Sequence, residues 1–154
     1  MVSRGFLAKI ARLGAGFGAV AVLAPAAADA PLRYPPATIV MFVAGWCAPC
    51  HGEIARLDDI TAAARPFAVG VTVLDESAAG RAMMRAVPRD QLLMFPPEKR
   101  RQIEARLFRD SAGLPYSIAI DESGRVCADR RDGLDAAKAR AMVAACRNGR
   151  TSPP

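Results

Sequence analysis

Apolar residues in this chain gather first into unbroken runs and only then into periodic stripes. Thr38-Ile39-Val40-Met41-Phe42-Val43-Ala44 and Phe67-Ala68-Val69-Gly70-Val71-Thr72-Val73-Leu74 are almost free of polar residues. Runs of that length, rich in β-branched and aromatic residues, read as buried strands. Pro115 opens a third strand, Tyr116 to Ile120, and Asp121-Glu122-Ser123-Gly124 forms a turn into a fourth, Arg125 to Asp129. Between the strands the period lengthens. Glu53, Ile54, Leu57, Asp58 and Ile60 have helical spacing, and that segment stops at Arg65-Pro66. Ser77 stands where it caps a helix from Ala78 to Ala86, ended by Pro88. Pro96-Pro97 opens Glu98 to Phe108, with Ile103 and Leu107 on one face, and Asp132 stands as the cap of a last helix, Leu134 to Cys146. Strands alternating with helices, closed by a hairpin and a helix, predict an α/β three-layer sandwich.

The chain has 154 residues, enough for one domain with an ordinary core. Residues 1–28 read as a secretory signal. Arg4, Lys9 and Arg12 form the basic start, Leu13 to Leu23 the apolar stretch, and Pro25-Ala26-Ala27-Ala28 a breaker and small-residue cleavage site. The alternative is an uncleaved membrane anchor, against which stands the shortness of the uncharged stretch. Residues 29–37 form an extended lead-in with three prolines, 38–147 the folded domain and 148–154 a disordered tail. Removing the three N-terminal cations from the 21 basic residues leaves a net charge of only +3 against 15 acidic ones. So weak and interspersed an excess argues against nucleic-acid binding.

Chemistry concentrates where the first strand meets the first helix, at Trp46-Cys47-Ala48-Pro49-Cys50. At a helix N-terminus, free N–H groups and the positive dipole end favour a thiolate, so Cys47 is the candidate nucleophile. Cys50, one turn later, can resolve a mixed disulfide formed at Cys47. A disulfide used only as a staple would remove little chain entropy across so short a loop. A zinc site would need ligands from His51, Cys127 and Cys146 without the usual second C-x-x-C pair, so no metal is expected. Pro49 lacks an N–H and suits an early helix position. His51 is either an exposed helix residue or a cation that lowers the Cys47 pKa.

The stretch Val43-Ala44-Gly45-Trp46-Cys47-Ala48-Pro49-Cys50-His51 resembles the active-site segment of the thioredoxin superfamily. It is most similar to the exported TlpA-like and cytochrome c maturation-type thiol–disulfide reductases. Gly113-Leu114-Pro115-Tyr116-Ser117-Ile118-Ala119-Ile120-Asp121-Glu122-Ser123-Gly124-Arg125-Val126 resembles the same group's cis-proline loop, strand and hairpin. The resemblance implies a thioredoxin-like α/β/α sandwich with a mixed sheet, no cofactor, and export to the bacterial periplasm. It implies an enzyme that reduces protein disulfides and is recharged by a membrane electron donor of the disulfide-reductase type. Leu114 and Pro115 would present backbone to an extended substrate, with a cis peptide between them, and Trp46 would cover part of that surface or belong to the core. Within the group, proline between the cysteines marks reductants, and strongly oxidising members carry histidine there. Two features stay open. Thioredoxin's buried aspartate, six residues before the first cysteine, is replaced by Met41, leaving Glu53, Asp75 or Glu76 as substitutes. Cys127 and Cys146, a leftover even pair in an exported protein, are most economically a structural disulfide. The rival functions are a redox-inactive thioredoxin-fold binding module and, third, a copper-delivery protein.

Overall fold

The computed structural model describes residues 33–110 and 113–149. Residues 1–32, which include the stretch expected as a secretory signal, and all of the tail beyond Gly149 lie outside the described residues. The elements run β1 (Thr38–Val43), α1 (Ala48–Ile54), α2 (Leu57–Ala64), β2 (Ala68–Val73), α3 (Ala78–Ala86), α4 (Pro97–Asp110), β3 (Tyr116–Ile120), β4 (Val126–Arg130) and α5 (Ala136–Arg147). The sheet is mixed, in the order β2-β1-β3-β4. β1 pairs parallel with β2 and antiparallel with β3, and β4 returns antiparallel on β3.

β1 is central because every one of its residues is buried, which only a strand covered on both faces tolerates. Its side chains alternate between two cores. Ile39, Met41 and Val43 join Leu57, Ile60 and Ala64 of α2, Met83 of α3, and Ala139, Met142 and Val143 of α5. Val40 and Phe42 join Ile103 and Leu107 of α4 on the other side. Each fully buried side chain of this size stabilises the fold by roughly 1.5–3 kcal/mol. The lead-in is anchored as well. Tyr34 packs edge-on against Phe42 and Phe95, and Lys99 Nζ donates to Arg33 O at 2.7 Å. Burial pushes the Tyr34 hydroxyl up to about 12.

Two expectations from the sequence are corrected. The single helix expected after the cysteines is two. Ala55 N–H keeps its bond to His51 O, but Arg56 N–H bonds Glu53 O, and Arg56 adopts φ −112°, ψ 16°. The ladder slips from four residues back to three, the chain bends, and α2 starts afresh at Leu57. The last helix is capped by Asp135, whose Oδ1 accepts from Lys138 N–H at 2.8 Å, and not by Asp132. Asp132 instead takes Arg130 and Lys138 as ion-pair partners. Leu134 precedes the extended Asp135 cap and donates its N–H to the Glu53 carboxylate.

At the end of the sheet away from the β1–α1 junction, Cys127 of β4 is bonded to Cys146 of α5, with Cα atoms 5.0 Å apart and a sequence separation of 19. Closing a loop of that length stabilises by about 3 kcal/mol. Replacing both cysteines with alanine is expected to lower the thermal midpoint by roughly 10 °C. A circular dichroism melt unchanged from wild type would contradict this.

Candidate active site

β1 ends in a tight turn that delivers Cys47 to the start of α1. Cys47 N–H donates back to Ala44 O at 3.0 Å, which leaves Gly45 and Trp46 at the two corners of the turn. Cys47 is the N-cap of α1, with extended backbone (φ −86°, ψ 98°), and Pro49 lies in the first turn. Cys47 and Cys50 are joined by a disulfide, their Cα atoms 5.3 Å apart. Both are enclosed, Cys47 at 3% exposure and Cys50 at 0%, whereas Trp46 stands out at 63%. Trp46 is therefore a surface residue beside the dithiol and no part of the core.

The helix N-terminus is poorer in free donors than its dipole suggests. Cys47 N–H is taken by Ala44 O, Cys50 N–H donates to Cys47 O at 3.1 Å, and Pro49 has none. In the first turn this leaves the Ala48 N–H outside these bonds. His51, exposed on α1, turns its ring back over the turn, and Nε2 donates to Gly45 O at 2.9 Å.

The second element of the site comes from the other end of the chain. The Leu114–Pro115 peptide is cis, as is Arg65–Pro66. Pro115 is buried, and half-buried Leu114 packs against the core cluster that contains Cys47 and Cys50. Tyr116, next in sequence, stacks on Phe42 of β1 and holds this loop on the sheet.

The carboxylates separate cleanly. Glu53, three residues after Cys50 on the same buried face of α1, is only 2% exposed. One of its oxygens accepts the Leu134 N–H, and Oε2 accepts no hydrogen bond among the described residues. Burial raises its pKa, against the lowering effects of the Leu134 N–H, Arg56 and Lys138. A Cβ on Gly133 would lie 3.4 Å from Glu53 Oε1 and 3.7 Å from Pro115 Cγ, so the carboxyl group and the proline ring flank one small space. Gly133 itself has φ +77°. Asp75, by contrast, accepts from Gly45 N–H at 2.7 Å and from the Ser77 hydroxyl. Burial pushes its pKa up, but those hydrogen bonds outweigh burial and hold it below the usual carboxylate value. Glu76 points outward to Arg100. Met41 is fully buried in the core that holds both cysteines, so that core carries no acid on β1.

The structure thus brings Trp46, Cys47, Pro49, Cys50 and His51 together at the β1–α1 junction, with Leu114 packed against the same core and Pro115 adjoining through Glu53. Cys127 and Cys146 sit apart. Sequence reasoning passed over Gly45 and Gly133. Gly45 is buried against α3, where a Cβ would overlap the Gly80 N and Ala79 C atoms. The available signal was a glycine between a buried strand and two cysteines.

No family model and no curated protein matches the chain. Among solved structures, a thiol:disulfide interchange protein of the thioredoxin family from Chlorobium tepidum TLS aligns with 71% of this chain and 78% of its own, at 24% identity and a TM-score of 0.52. A Chlorobium tepidum structure assigned as the thiol:disulfide interchange protein DsbE aligns over 73% and 78%, at 24% identity and a TM-score of 0.51. Copper-bound ScoI from Arabidopsis thaliana aligns over 72% and 84%, at 15% identity and a TM-score of 0.50. At these identities the likeness establishes architecture: the chain has the thioredoxin-like α/β fold, with a bonded C-x-x-C pair at the end of its central strand.

Proposed function

We propose that this chain is an exported thiol–disulfide oxidoreductase that reduces protein disulfides through Cys47 and Cys50. The observation that carries the reading is the placement of Cys47 as N-cap of α1 with Cys50 one turn on, enclosed and bonded to each other. In the reduced protein, the Cys47 thiolate attacks one sulfur of a substrate disulfide. A Cys47–substrate disulfide forms, and the other substrate sulfur leaves as a thiolate and takes up a proton. Cys50 then loses its proton and attacks Cys47 Sγ, which expels the second substrate thiol and closes the Cys47–Cys50 bond. Two electrons pass to the substrate. A membrane electron donor of the disulfide-reductase type returns them.

Glu53 is the proton acceptor for Cys50 in this scheme. It is buried on the same helix face with one oxygen unengaged, while Asp75 is occupied and Glu76 is exposed. Trp46, Leu114 and Pro115 form the docking surface for an extended substrate. Export is supported by the basic-then-apolar pattern of residues 1–28 and by the Cys127–Cys146 bond, since such bonds persist in oxidising compartments. The direction follows from the donor count. A thiolate facing few N–H groups is weakly stabilised, so the reduced form gives its electrons away more readily.

Reduction of insulin disulfides by dithiothreitol, followed with and without the protein, tests the reading. Acceleration is expected. A rate equal to the uncatalysed one would leave the fold as a binding module.

A further inference from the structure

Cys47 can serve as nucleophile only if the turn that carries it is held in one place, and that turn has an unusual set of restraints. Ala44 O and Cys47 N–H bond each other across it. Between them, Gly45 is held on both sides: its N–H donates to Asp75 Oδ1 at 2.7 Å, and its carbonyl accepts from His51 Nε2 at 2.9 Å. The two groups reach Gly45 from different elements. His51 comes from α1, behind the cysteines. Asp75 follows β2 and is itself steadied by the Ser77 hydroxyl, while Ser77 Oγ caps α3 by accepting Gly80 N–H at 3.0 Å. Glycine at both 45 and 80 makes the approach feasible, because a Cβ on Gly80 would overlap the Asp75 O and Oδ1 atoms.

We infer that Asp75 and His51 act as a paired clamp on the Gly45 peptide, positioning Trp46 and Cys47 for the exchange reaction. The inference rests on the dithiol reading above and deepens it. Neither side chain touches the substrate. The clamp explains how a tryptophan at 63% exposure and a cysteine at 3% can be adjacent in sequence and both be held. Fixing the corner between them sends one side chain out and the other in. It also gives His51 a role other than that of a cation for the thiolate: the imidazole acts through its Nε2–H bond, which a glutamine amide at the same position can reproduce.

Trp46 is the single tryptophan of the chain, so its fluorescence reports on this turn alone. The test compares wild type, His51→Gln, His51→Leu, Asp75→Asn and Asp75→Ala, reading time-resolved anisotropy of Trp46 for all and iodoacetamide alkylation of reduced Cys47 at mildly acidic pH for the His51 pair. Loss of one hydrogen bond shifts a local equilibrium by about five-fold. His51→Leu is therefore expected to free the indole and slow Cys47 alkylation by about that factor, with His51→Gln retaining both wild-type values. Asp75→Ala is expected to free the indole, and Asp75→Asn, which keeps an acceptor for Gly45 N–H, is not. Wild-type anisotropy and alkylation in His51→Leu would overturn the clamp. So would a loss in His51→Gln equal to that in His51→Leu, since charge and not the bond would then be at work. Neither readout needs a protein substrate, so failure of the clamp is distinguishable from failure of the redox reading, which insulin reduction decides.

Discussion

Replacing Cys47 with serine is expected to return insulin reduction to the uncatalysed rate, whereas replacing Cys50 with serine is expected to trap protein and substrate as a covalent pair. In the proposed mechanism the two sulfurs do different work. Cys47 alone stands at the helix end, where the dipole favours a thiolate, and no other group in the turn can form the first bond to substrate sulfur. Cys50 is fully buried and its N–H is committed to Cys47 O. It meets substrate sulfur only through Cys47. Without Cys50 the mixed disulfide forms and persists, visible as a slower band on a non-reducing gel that dithiothreitol removes. Equal trapping by both serine variants would show that the roles are not divided in this way.

The second large effect is expected at Glu53. Glutamine keeps an oxygen for the Leu134 N–H but cannot take a proton. Removing a positioned general base slows its step by about 100-fold or more, so release of substrate from Cys47 is expected to slow by that amount in Glu53→Gln. Alkylation of Cys47 is expected to stay unchanged. A stability signature accompanies this, and its sign is fixed by linkage. The Glu53 pKa is raised in the folded state, so between the unfolded and folded values the folded protein holds a proton that the unfolded chain has released, and above the folded value Glu53 is free to accept one. The stability contributed by that proton is complete below the ordinary glutamate pKa and is lost as pH rises through the raised folded value. Glu53→Gln is expected to remove that loss, which urea midpoints measured between mildly acidic and neutral pH would reveal. A variant whose midpoints fall with pH as steeply as those of wild type would assign the slope to another group.

Glu53 also illustrates what can and cannot be read from residues alone. Three carboxylates stood as candidates to replace the acid absent at Met41, and nothing local separates them. Burial does, and burial depends on α5 folding back until Leu134 donates to Glu53. The last helix starts at Ala136 and not at Leu134, which lies outside it and makes that contact. Asp132 and Asp135, three residues apart, are equally good caps by composition, and the structure uses Asp135, whose Oδ1 accepts the Lys138 N–H, while Asp132 pairs with Arg130 and Lys138. The break in the helix after the cysteines was equally hidden: helical spacing continues unaltered from Glu53 to Ile60, so the slip at Arg56 leaves no mark in the pattern. β1 and β2 were legible because strands covered on both faces must be apolar throughout. The cysteine pair was legible because residue type and spacing carry the chemistry. The grip on Gly45 was not, since Asp75 and His51 meet there from elements that only the fold brings together.

The proposed dithiol of Cys47 and Cys50 is poised to give electrons away. The most direct measurement is its equilibrium potential, determined by titration against glutathione with the Cys127–Cys146 bond intact. With the Cys47 and Cys50 N–H groups committed to backbone carbonyls and proline between the cysteines, a value near the thioredoxin potential of about −270 mV is expected. Exchanging Ala48-Pro49 for Pro-His removes the Ala48 N–H but brings a backbone N–H and an imidazole at position 49, and is expected to raise it. A wild-type potential near the periplasmic oxidase value of about −120 mV, or one indifferent to the exchange, would contradict the account.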